Sequence, residues 1–444
     1  PGRQRQTAVT DEKAAPPVVA FYLPQFHPVP DNDAWWGQGF TEWRKVVKGQ
    51  PLFEGHYQPH MPADLGFYDL RLPEVRWAQA ALAREYGIAA FCYYHYWFKG
   101  RRILERPFNE VLKSGEPDFP FCLCWANENW TTRWDAGNQH ILLAQEYDEA
   151  DDRDHVRYLI EAFADPRYLR INGRPLLCIY RIQGHPAPQR TLDMWRKEVV
   201  AAGLPEPFIV KFDTHGNWED PARYGCDAAA EFLPHGVWEL VPPSPRVTCA
   251  PGNQVRDYRD VASYFSTRTQ PEWTRYPCVA PGWDNTSRVG DGRAGVFDGT
   301  DPDVYETWLR VVRQRVAAQP DEGVVFVNAW NEWAEGAHLE PDERFGRRFL
   351  EATGRVVHGS RRPTPLTPPL TTEPTSIGEL YTALYERSIR LERAYSEYIA
   401  RAESELARAR SEHSAALHEC RDEASRLADF VSDLEAKLRT ARVP

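Results

Sequence analysis

Apolar stretches alternate with amphipathic stretches along the chain from residue 18 to about residue 358. Each apolar stretch is continuous rather than alternating, which is typical of strands buried on both faces. The predicted strands are Val18–Phe26, Ile88–Phe98, Pro120–Asn127, Arg174–Tyr180, Phe208–Phe212, Ala228–Leu233, Pro277–Gly282 and Gly323–Trp330. The predicted helices are Pro73–Tyr86, Ala150–Ala164, Thr191–Ala202, Val255–Phe265 and Asp303–Ala318.

Eight buried strands separated by helices predict an α/β fold with a parallel sheet, closed as a (β/α)8 TIM barrel. Pro73 and Pro302 suit the first turn of a helix, which supports two of the helix boundaries. An open doubly wound sheet is the alternative. No GxGxxG motif follows the first strand, so the dinucleotide-binding form of that fold lacks its fingerprint.

The regions outside the strand–helix pattern predict three further segments. Residues 1–17 are polar and are expected to be disordered, and residues 359–376 are a Pro/Thr-rich linker. Residues 377–444 have heptad-like apolar spacing among Glu and Arg, which predicts a helical coiled coil. A single solvated helix packing on the barrel is the alternative for this tail. The long loop His27–Asp69 is expected to be functional because of its length.

Composition narrows the classes of partner. The formal net charge of -11 argues against a nucleic-acid-binding surface. No apolar run is long enough for a transmembrane segment, and we see no signal peptide, so we expect the cytoplasm or attachment to a membrane-associated polysaccharide-assembly complex. Most cysteines lie in apolar strands and are expected to be buried free thiols. We predict no cofactor.

The segment Gly323–Pro341 carries the strongest chemical signal. An apolar run ends in Glu332 and Glu335, three positions apart and between Trp330 and Trp333. Barrel enzymes keep their chemistry at the carboxyl ends of strands, and paired carboxyl groups beside aromatic rings suit acid/base work on a glycosidic bond. We therefore predict that both glutamates are catalytic. The alternative is a solvated helix start, where acidic residues are common.

Other strand ends also carry hydrogen-bonding groups with aromatic neighbours, which suits sugar hydroxyls and pyranose faces. Taken singly, some have simpler explanations, such as an ion pair at Glu128, turn capping by Asp284 and structural roles for His27 and His95. No HExxH or similar spacing occurs, so we predict no metal. The predicted substrate-binding residues are Gln25, His27, Glu42, Trp43, His95, Trp97, Trp125, Asn127, Glu128, Asn129, Trp130, Asp213, Trp283, Asp284, Asn285, Trp330, Asn331 and Trp333.

Four well-separated motifs carry a further signal: GFTEW (Gly39–Trp43), WANENWTTRWD (Trp125–Asp135), PGWDNTSR (Pro281–Arg288) and NAWNEWAEGAHLEPD (Asn328–Asp342). In these motifs the chain resembles the WbsX family, over roughly Val18 to His358. Proteins of that family are described as glycosyltransferases of bacterial surface-polysaccharide clusters, and they are related to glycoside hydrolase family 99, the endo-α-mannosidases.

The resemblance implies a retaining mechanism. The related hydrolases use the substrate's own 2-hydroxyl as nucleophile, through a 1,2-anhydro sugar. Carried over, Glu332 is the base that deprotonates this hydroxyl, and Glu335 is the acid that protonates the leaving oxygen. The motif around the pair differs from that of the hydrolases, so the assignment of acid and base stays open here.

The sequence thus predicts a carbohydrate-active enzyme that cleaves or transfers glycosidic bonds with retention, on a bacterial surface polysaccharide such as O-antigen. One alternative is a transferase dependent on nucleotide sugars, although such enzymes usually use Rossmann-like domains. Another is a non-catalytic glycan-binding module. The expected partners are an oligo- or polysaccharide and, through the coiled coil, a second copy or another protein.

Overall fold

The computed structural model describes residues 15–131 and 140–359. The predicted coiled coil lies outside these residues, as do nearly all of the predicted linker and N-terminal segment. The described residues contain a parallel sheet surrounded by helices.

The sheet consists of nine parallel segments, each close to a predicted strand. Their bounds in chain order are Val18–Tyr22, Ile88–Phe98, Phe121–Trp125, Arg174–Ile179, Phe208–Asp213, Ala228–Glu231, Arg275–Tyr276, Cys278–Val279 and Val325–Val327. The first segment pairs on one side with Ile88–Phe98 and on the other with Val325–Val327. Since the first and last segments of this sheet in chain order are neighbours, the sheet curves into a nearly closed barrel and is not an open doubly wound sheet.

The seventh predicted strand, Pro277–Gly282, is observed as Cys278–Val279, and a further segment that was not predicted, Arg275–Tyr276, precedes it across Pro277. Arg275–Tyr276 pairs with Ala228–Glu231, whereas Cys278–Val279 pairs with Val325–Val327. Proline has no backbone N–H to give to a ladder, so a break at this position is expected. The two edge segments of the sheet therefore flank a single residue, Pro277. The sheet thus has nine segments where eight strands were predicted.

Helices cover the outside of the sheet, and the five predicted helices are all present with small shifts in their ends. Pro73 and Pro302 begin their helices, as predicted. None of the helices in the described ranges is both long and apolar enough to cross a membrane. The helices are Pro30–Trp36, Trp43–Val46, Pro73–Glu85, Arg106–Ser114, Glu149–Phe163, Pro188–Ala201, Val237–Leu240, Tyr258–Thr267, Thr286–Val289, Pro302–Ala317 and Arg348–His358.

One helix boundary was predicted wrongly. Residues 255–257 belong to a strand, Gln254–Asp257, that pairs in parallel with Gly295–Asp298. Val255 packs there with Val296 in a small apolar cluster, so its burial comes from a second sheet and not from a helix face. The helix begins only at Tyr258, where the Asp257 side chain caps the first turn by accepting from the Arg259 N–H.

The barrel interior is filled by aromatic rings. The Phe21 ring lies 4.9 Å from that of Phe232, 5.2 Å from Phe212 and 5.4 Å from Phe326, measured between centroids. The predicted cysteines are buried free thiols, as expected, including Cys92. This dense core closes the barrel below its carboxyl end and leaves that end as the floor of a cleft.

Candidate active site

The two predicted catalytic glutamates lie in a tight turn just after the last barrel strand. Glu332 ends a short strand, Asn331–Glu332, that pairs with Ala337–His338, and Trp333–Glu335 forms one 3₁₀ turn between them. Glu332 precedes this turn and Glu335 ends it, and both carboxyl groups reach the same arginine, Arg288.

Gly336 allows this turn to lie close to the neighbouring segment. Its φ is +58°, and a Cβ at this position would lie only 2.8 Å from Cβ of Asp284. The Asp284 backbone N–H donates to the Glu335 carbonyl at 2.6 Å, which locks the two segments together. A glycine is needed here on both counts.

Asn331 anchors the start of the turn to the end of the first strand. Its Oδ1 accepts from the Leu23 N–H at 2.7 Å, and its Nδ2 donates to the Leu23 carbonyl at 3.0 Å. These bonds join residues far apart in sequence. They fix the position of the backbone next to Glu332, at the bottom of the cleft.

Arg288 is the centre of the site. Its Nη1 donates to Glu335 at 2.5 Å, and its Nη2 donates to Glu42 at 2.5 Å and lies 3.4 Å from Glu332. The guanidinium side chain is only 8% exposed, so these contacts are screened little by water. One cation, on the short helix Thr286–Val289, thus holds three carboxyl groups, one from the first loop and two from the turn region.

Burial and mutual repulsion favour protonated carboxyl groups here. Burial, reinforced by the Glu335 carboxylate, raises the pKa of Glu332 well above its usual value, against the pull of Arg288. Burial also raises the pKa of Glu335, again opposed by Arg288. Burial alone would lower the pKa of Arg288, but Glu42, Glu335 and Glu332 raise it, so the guanidinium stays charged. A site with one cation and three carboxyls can hold a transferable proton near neutral pH.

The cluster opens into a cleft of about 800 Å³, counting the part that is open to solvent. Trp36 and Trp130 line it together with Lys45, whose ammonium lies 4.8 Å from the Trp36 ring centroid. Tyr94 and Tyr180 also line the cleft. Aromatic rings beside carboxyl groups suit the mixed apolar and polar faces of a sugar.

Charged groups also border the cleft at Glu128. Its carboxylate pairs with Arg181 at 2.9 Å and with His215 at 3.1 Å. Burial alone would raise its pKa, but these partners, His215 first, lower it, so Glu128 is ionised. The ion pair that sequence analysis gave as the simpler explanation is therefore present, and it lies on the lining of the cleft.

The predicted binding residues divide between three places. The cleft is lined by Gln25, Glu42, Glu128, Asn129 and Trp130, and a second cavity by Trp283 and Asp284. The others are not among the residues that line either cavity, and all but Asn285 are buried. Their predicted role in binding sugar stays a prediction; they are His27, Trp43, His95, Trp97, Trp125, Asn127, Asp213, Asn285, Trp330, Asn331 and Trp333.

Several of these other residues have clear structural partners. His95 Nε2 lies 2.9 Å from His155 Nε2, and Trp97 Nε1 donates to Asp151. Asp213 accepts from Lys211 at 2.9 Å. The first two contacts join the strand Ile88–Phe98 to the helix Glu149–Phe163, and the third lies within the strand Phe208–Asp213.

Sequence reasoning missed the central residue. Arg288 appeared only as the last letter of PGWDNTSR, and Trp36 and Lys45 were only part of a long loop. The signal available for Arg288 was its place beside Asp284 after a strand end. Its three partners are far away in sequence, so no local pattern shows the pairing.

A buried carboxyl group, Glu340, supports the turn from below. It accepts hydrogen bonds from Trp333 Nε1 at 2.7 Å, from Gln79 Nε2 at 2.7 Å and from Tyr68 Oη at 2.8 Å. Burial raises its pKa to about 7, although these donors oppose the shift. A further buried carboxyl group, below the Arg288 cluster, therefore titrates near neutral pH.

A helix-covered parallel barrel with buried, cation-paired carboxyl groups at its carboxyl end has the architecture of a carbohydrate-active barrel enzyme. The chain belongs to the WbsX glycosyltransferase family, whose model matches residues 18–353. The protein WxcX of Xanthomonas campestris pv. campestris, from strains B100 and ATCC 33913, is 43% identical over 364 residues. That match covers 79% of this chain and 51% of WxcX, so the chain spans about half the length of these relatives.

Solved structures of low sequence identity are similar to the chain. A glycoside hydrolase-like protein is 14% identical, with a TM-score of 0.51, over 79% of this chain and 96% of its own. The GH99 endo-α-mannosidase of Bacteroides thetaiotaomicron is also 14% identical, with a TM-score of 0.49, over 77% of this chain and 96% of its own. At this identity the first of these similarities shows the barrel fold alone.

The Arg288→Met variant tests whether the guanidinium stabilises the carboxyl cluster. Removing one partner of a buried ion pair typically costs about 3–5 kcal/mol, and we expect a loss of that size at pH 8. The loss should be smaller at pH 5, because Glu332 and Glu335 can then be buried as neutral acids. Denaturant unfolding at both pH values measures the difference. Arg293→Met, at an exposed arginine nearby, is the control, and an equal loss at both pH values contradicts the interpretation.

The Glu340→Gln variant tests the buried acid below the turn. The folded-state pKa of about 7 lies above the usual 4.5, so its contribution to stability is present at low pH and is lost as pH rises through 7. The unfolding temperature of the wild type should therefore fall between pH 5 and pH 8, and that of the variant should fall less. The Oε1 atom of the glutamine can still accept from Trp333 and Tyr68, which both donate to one oxygen of Glu340. Identical pH dependence in both proteins contradicts the prediction, and exposed Glu343→Gln is the control.

Proposed function

We propose that this chain is a carbohydrate-active enzyme that breaks or transfers glycosidic bonds with retention, acting on a bacterial surface polysaccharide. The single observation that carries the proposal is the pairing of Glu332 and Glu335 with one buried arginine at the end of a barrel strand. A module that only binds glycan has no need of a pair of buried carboxyl groups with raised pKa values.

Glycosidic bond cleavage needs one group that gives a proton and one that takes a proton. The Arg288 cluster supplies both, because one guanidinium cannot balance three ionised carboxylates in a buried site. At least one carboxyl is then held as an acid while another stays ionised. Proton transfer between the pair and the sugar needs no other side chain.

The roles that the resemblance implies are Glu332 as the base at the sugar 2-hydroxyl and Glu335 as the acid at the leaving oxygen. In the structure, Arg288 lies closer to Glu335 than to Glu332, and the pKa of Glu332 is the more strongly raised. That order favours a resting proton on Glu332. Under the proposed mechanism the proton must move to Glu335 when the 2-hydroxyl engages Glu332.

A second candidate is transfer from a nucleotide sugar. The description of the matching family as a glycosyltransferase favours it. The aromatic rings Trp36 and Trp130 suit an acceptor sugar as well as they suit a polysaccharide that is cut. The two candidates differ in the donor that the enzyme requires, and this can be tested directly.

We expect Glu335→Gln and Glu332→Gln each to lower turnover by about 10²–10⁴-fold, the usual contribution of general acid–base catalysis. The wild type and both variants are incubated with a panel of α-linked bacterial polysaccharides, with and without nucleotide sugars. Products are identified by mass spectrometry, and the anomer first released is read by NMR. Exposed Glu343→Gln is the matched control and should keep full activity.

Fragments formed without nucleotide sugar, with retained configuration and lost in both variants, support the proposal. Extension that depends on nucleotide sugar identifies the second candidate. An inverted product overturns the retaining mechanism. If wild type and Glu335→Gln bind the same glycans and neither turns them over, the chain is a binding module.

A further inference from the structure

A second cavity of about 600 Å³ lies behind the turn that carries Glu335. Among its lining residues are His60 from the first loop, and His338 and Asp342 from the segment after the turn. One ligating atom from each of these three lies within 4.8 Å of the others. In the described parts of the chain, this is the one group of three such residues that meets this spacing.

A hydrogen bond at Nδ1 sets the orientation of the His338 ring. Nδ1 lies 3.0 Å from the Glu340 carbonyl, which can only accept, so Nδ1 carries the proton and Nε2 presents a lone pair. A backbone carbonyl that fixes an imidazole in this way is typical of histidines that bind metals. The lone pair of Nε2 points towards His60 Nδ1, 2.9 Å away.

Asp342 adds a third electron-pair donor. Its Oδ1 accepts from the Phe345 N–H at 2.6 Å, and its Oδ2 lies 3.9 Å from His338 Nε2. Both of these facing atoms are acceptors, and the side chains are 3% and 5% exposed. A hydrogen from His60 Nδ1 can satisfy Nε2, but it does not offset the carboxylate charge beside it.

We propose that His60 Nδ1, His338 Nε2 and Asp342 Oδ2 bind one divalent transition-metal ion. Two imidazoles and one carboxylate are a ligand set suited to Zn²⁺, and a fourth position would face the cavity. Two ligands of a tetrahedral Zn²⁺ lie about 3.3 Å apart for bonds of about 2.0 Å. The two imidazole nitrogens, at 2.9 Å, therefore need to separate slightly, and Asp342 Oδ2, at 3.9 Å from His338 Nε2, needs to approach.

The same molecule offers a comparison. His95 and His155 also face each other at 2.9 Å, buried and stacked among aromatic rings. That pair has the spacing but does not belong to a group of three ligands with a carboxylate. It is the matched example of a histidine pair held by hydrogen bonding alone.

The proposed ion has a structural role near the acid pair. His338 stacks on Trp333 with 3.8 Å between centroids, and Trp333 belongs to the turn that carries Glu335. His60 comes from the loop that also carries Glu42. The ion would therefore tie that loop to the back of the turn without entering the chemistry. The ligands lie at positions 60, 338 and 342, which is why no local spacing predicted a metal.

The test uses the full chain with any affinity tag removed, stripped with a chelator and dialysed. Zn²⁺ binding is measured by competition with a chromophoric chelator, and metal content by mass spectrometry. We expect one more Zn²⁺ per chain in the wild type than in Asp342→Asn or His60→Gln, whose affinity at this site should fall at least about 100-fold. Co²⁺ should give the intense visible absorption of a tetrahedral site in the wild type alone.

His155→Gln is the matched control and should bind metal like the wild type. Circular dichroism checks that each variant is folded, and either ligand variant suffices if the other is not. Equal stoichiometry in the wild type and a folded ligand variant overturns the proposal, as does a wild type that binds no metal. Metal binding is read directly, so the result stands apart from the glycan experiment.

Discussion

The pairing of Arg288 with three buried glutamates is the constraint on which the rest of the site depends. A charged group in a poorly solvated place must be compensated, and the compensation here is shared between residues 42, 288, 332 and 335. These positions come together only when the first loop, the last strand and the segment after the seventh strand are all in place. The cluster therefore reports correct assembly of the carboxyl end of the barrel, even though buried ion pairs add little net stability compared with apolar packing.

Much of the surrounding structure serves to hold this cluster still. Asn331 fastens the turn to the first strand, Gly336 permits its close approach to Asp284, and Glu340 gathers three donors beneath it. Each of these contacts holds the backbone of the turn in one position. Preorganised groups do not have to reorient when charge develops in a reaction, which is the usual source of catalytic power in such sites. The cost is a set of raised carboxyl pKa values, which a purely structural core would avoid.

The sequence predicted the barrel well, because buried parallel strands leave continuous apolar runs and helices leave a 3.6-residue period. The segment Arg275–Tyr276 was not predicted, because it and Cys278–Val279 pair with different neighbours on either side of Pro277. Val255 was assigned to a helix, because burial against a second small sheet gives the same apolar signal as burial on a helix face. Glu332 and Glu335 were found because they directly follow a strand. Arg288 was not, since an ion pair across 246 residues leaves no trace in local spacing. Trp330 and Trp333 were predicted to bind sugar, and that role stays a prediction; both are buried, whereas the partly buried Trp36 and Trp130 line the cleft.

Hydrolysis and transfer share their first half under the proposed mechanism. In both, the pair expels a leaving group from the anomeric carbon, and the same carboxylate then activates whatever hydroxyl arrives. The carboxyl groups cannot distinguish water from a sugar hydroxyl, because the proton movements are identical. The distinction must lie in the walls of the cleft, where a bound sugar either excludes water or does not. Trp36 and Lys45 belong to the first loop, as does Glu42, which pairs with Arg288. The loop that helps to compensate the catalytic charge thus also shapes the space for the acceptor, and it is there that a hydrolase and a transferase of this fold should differ.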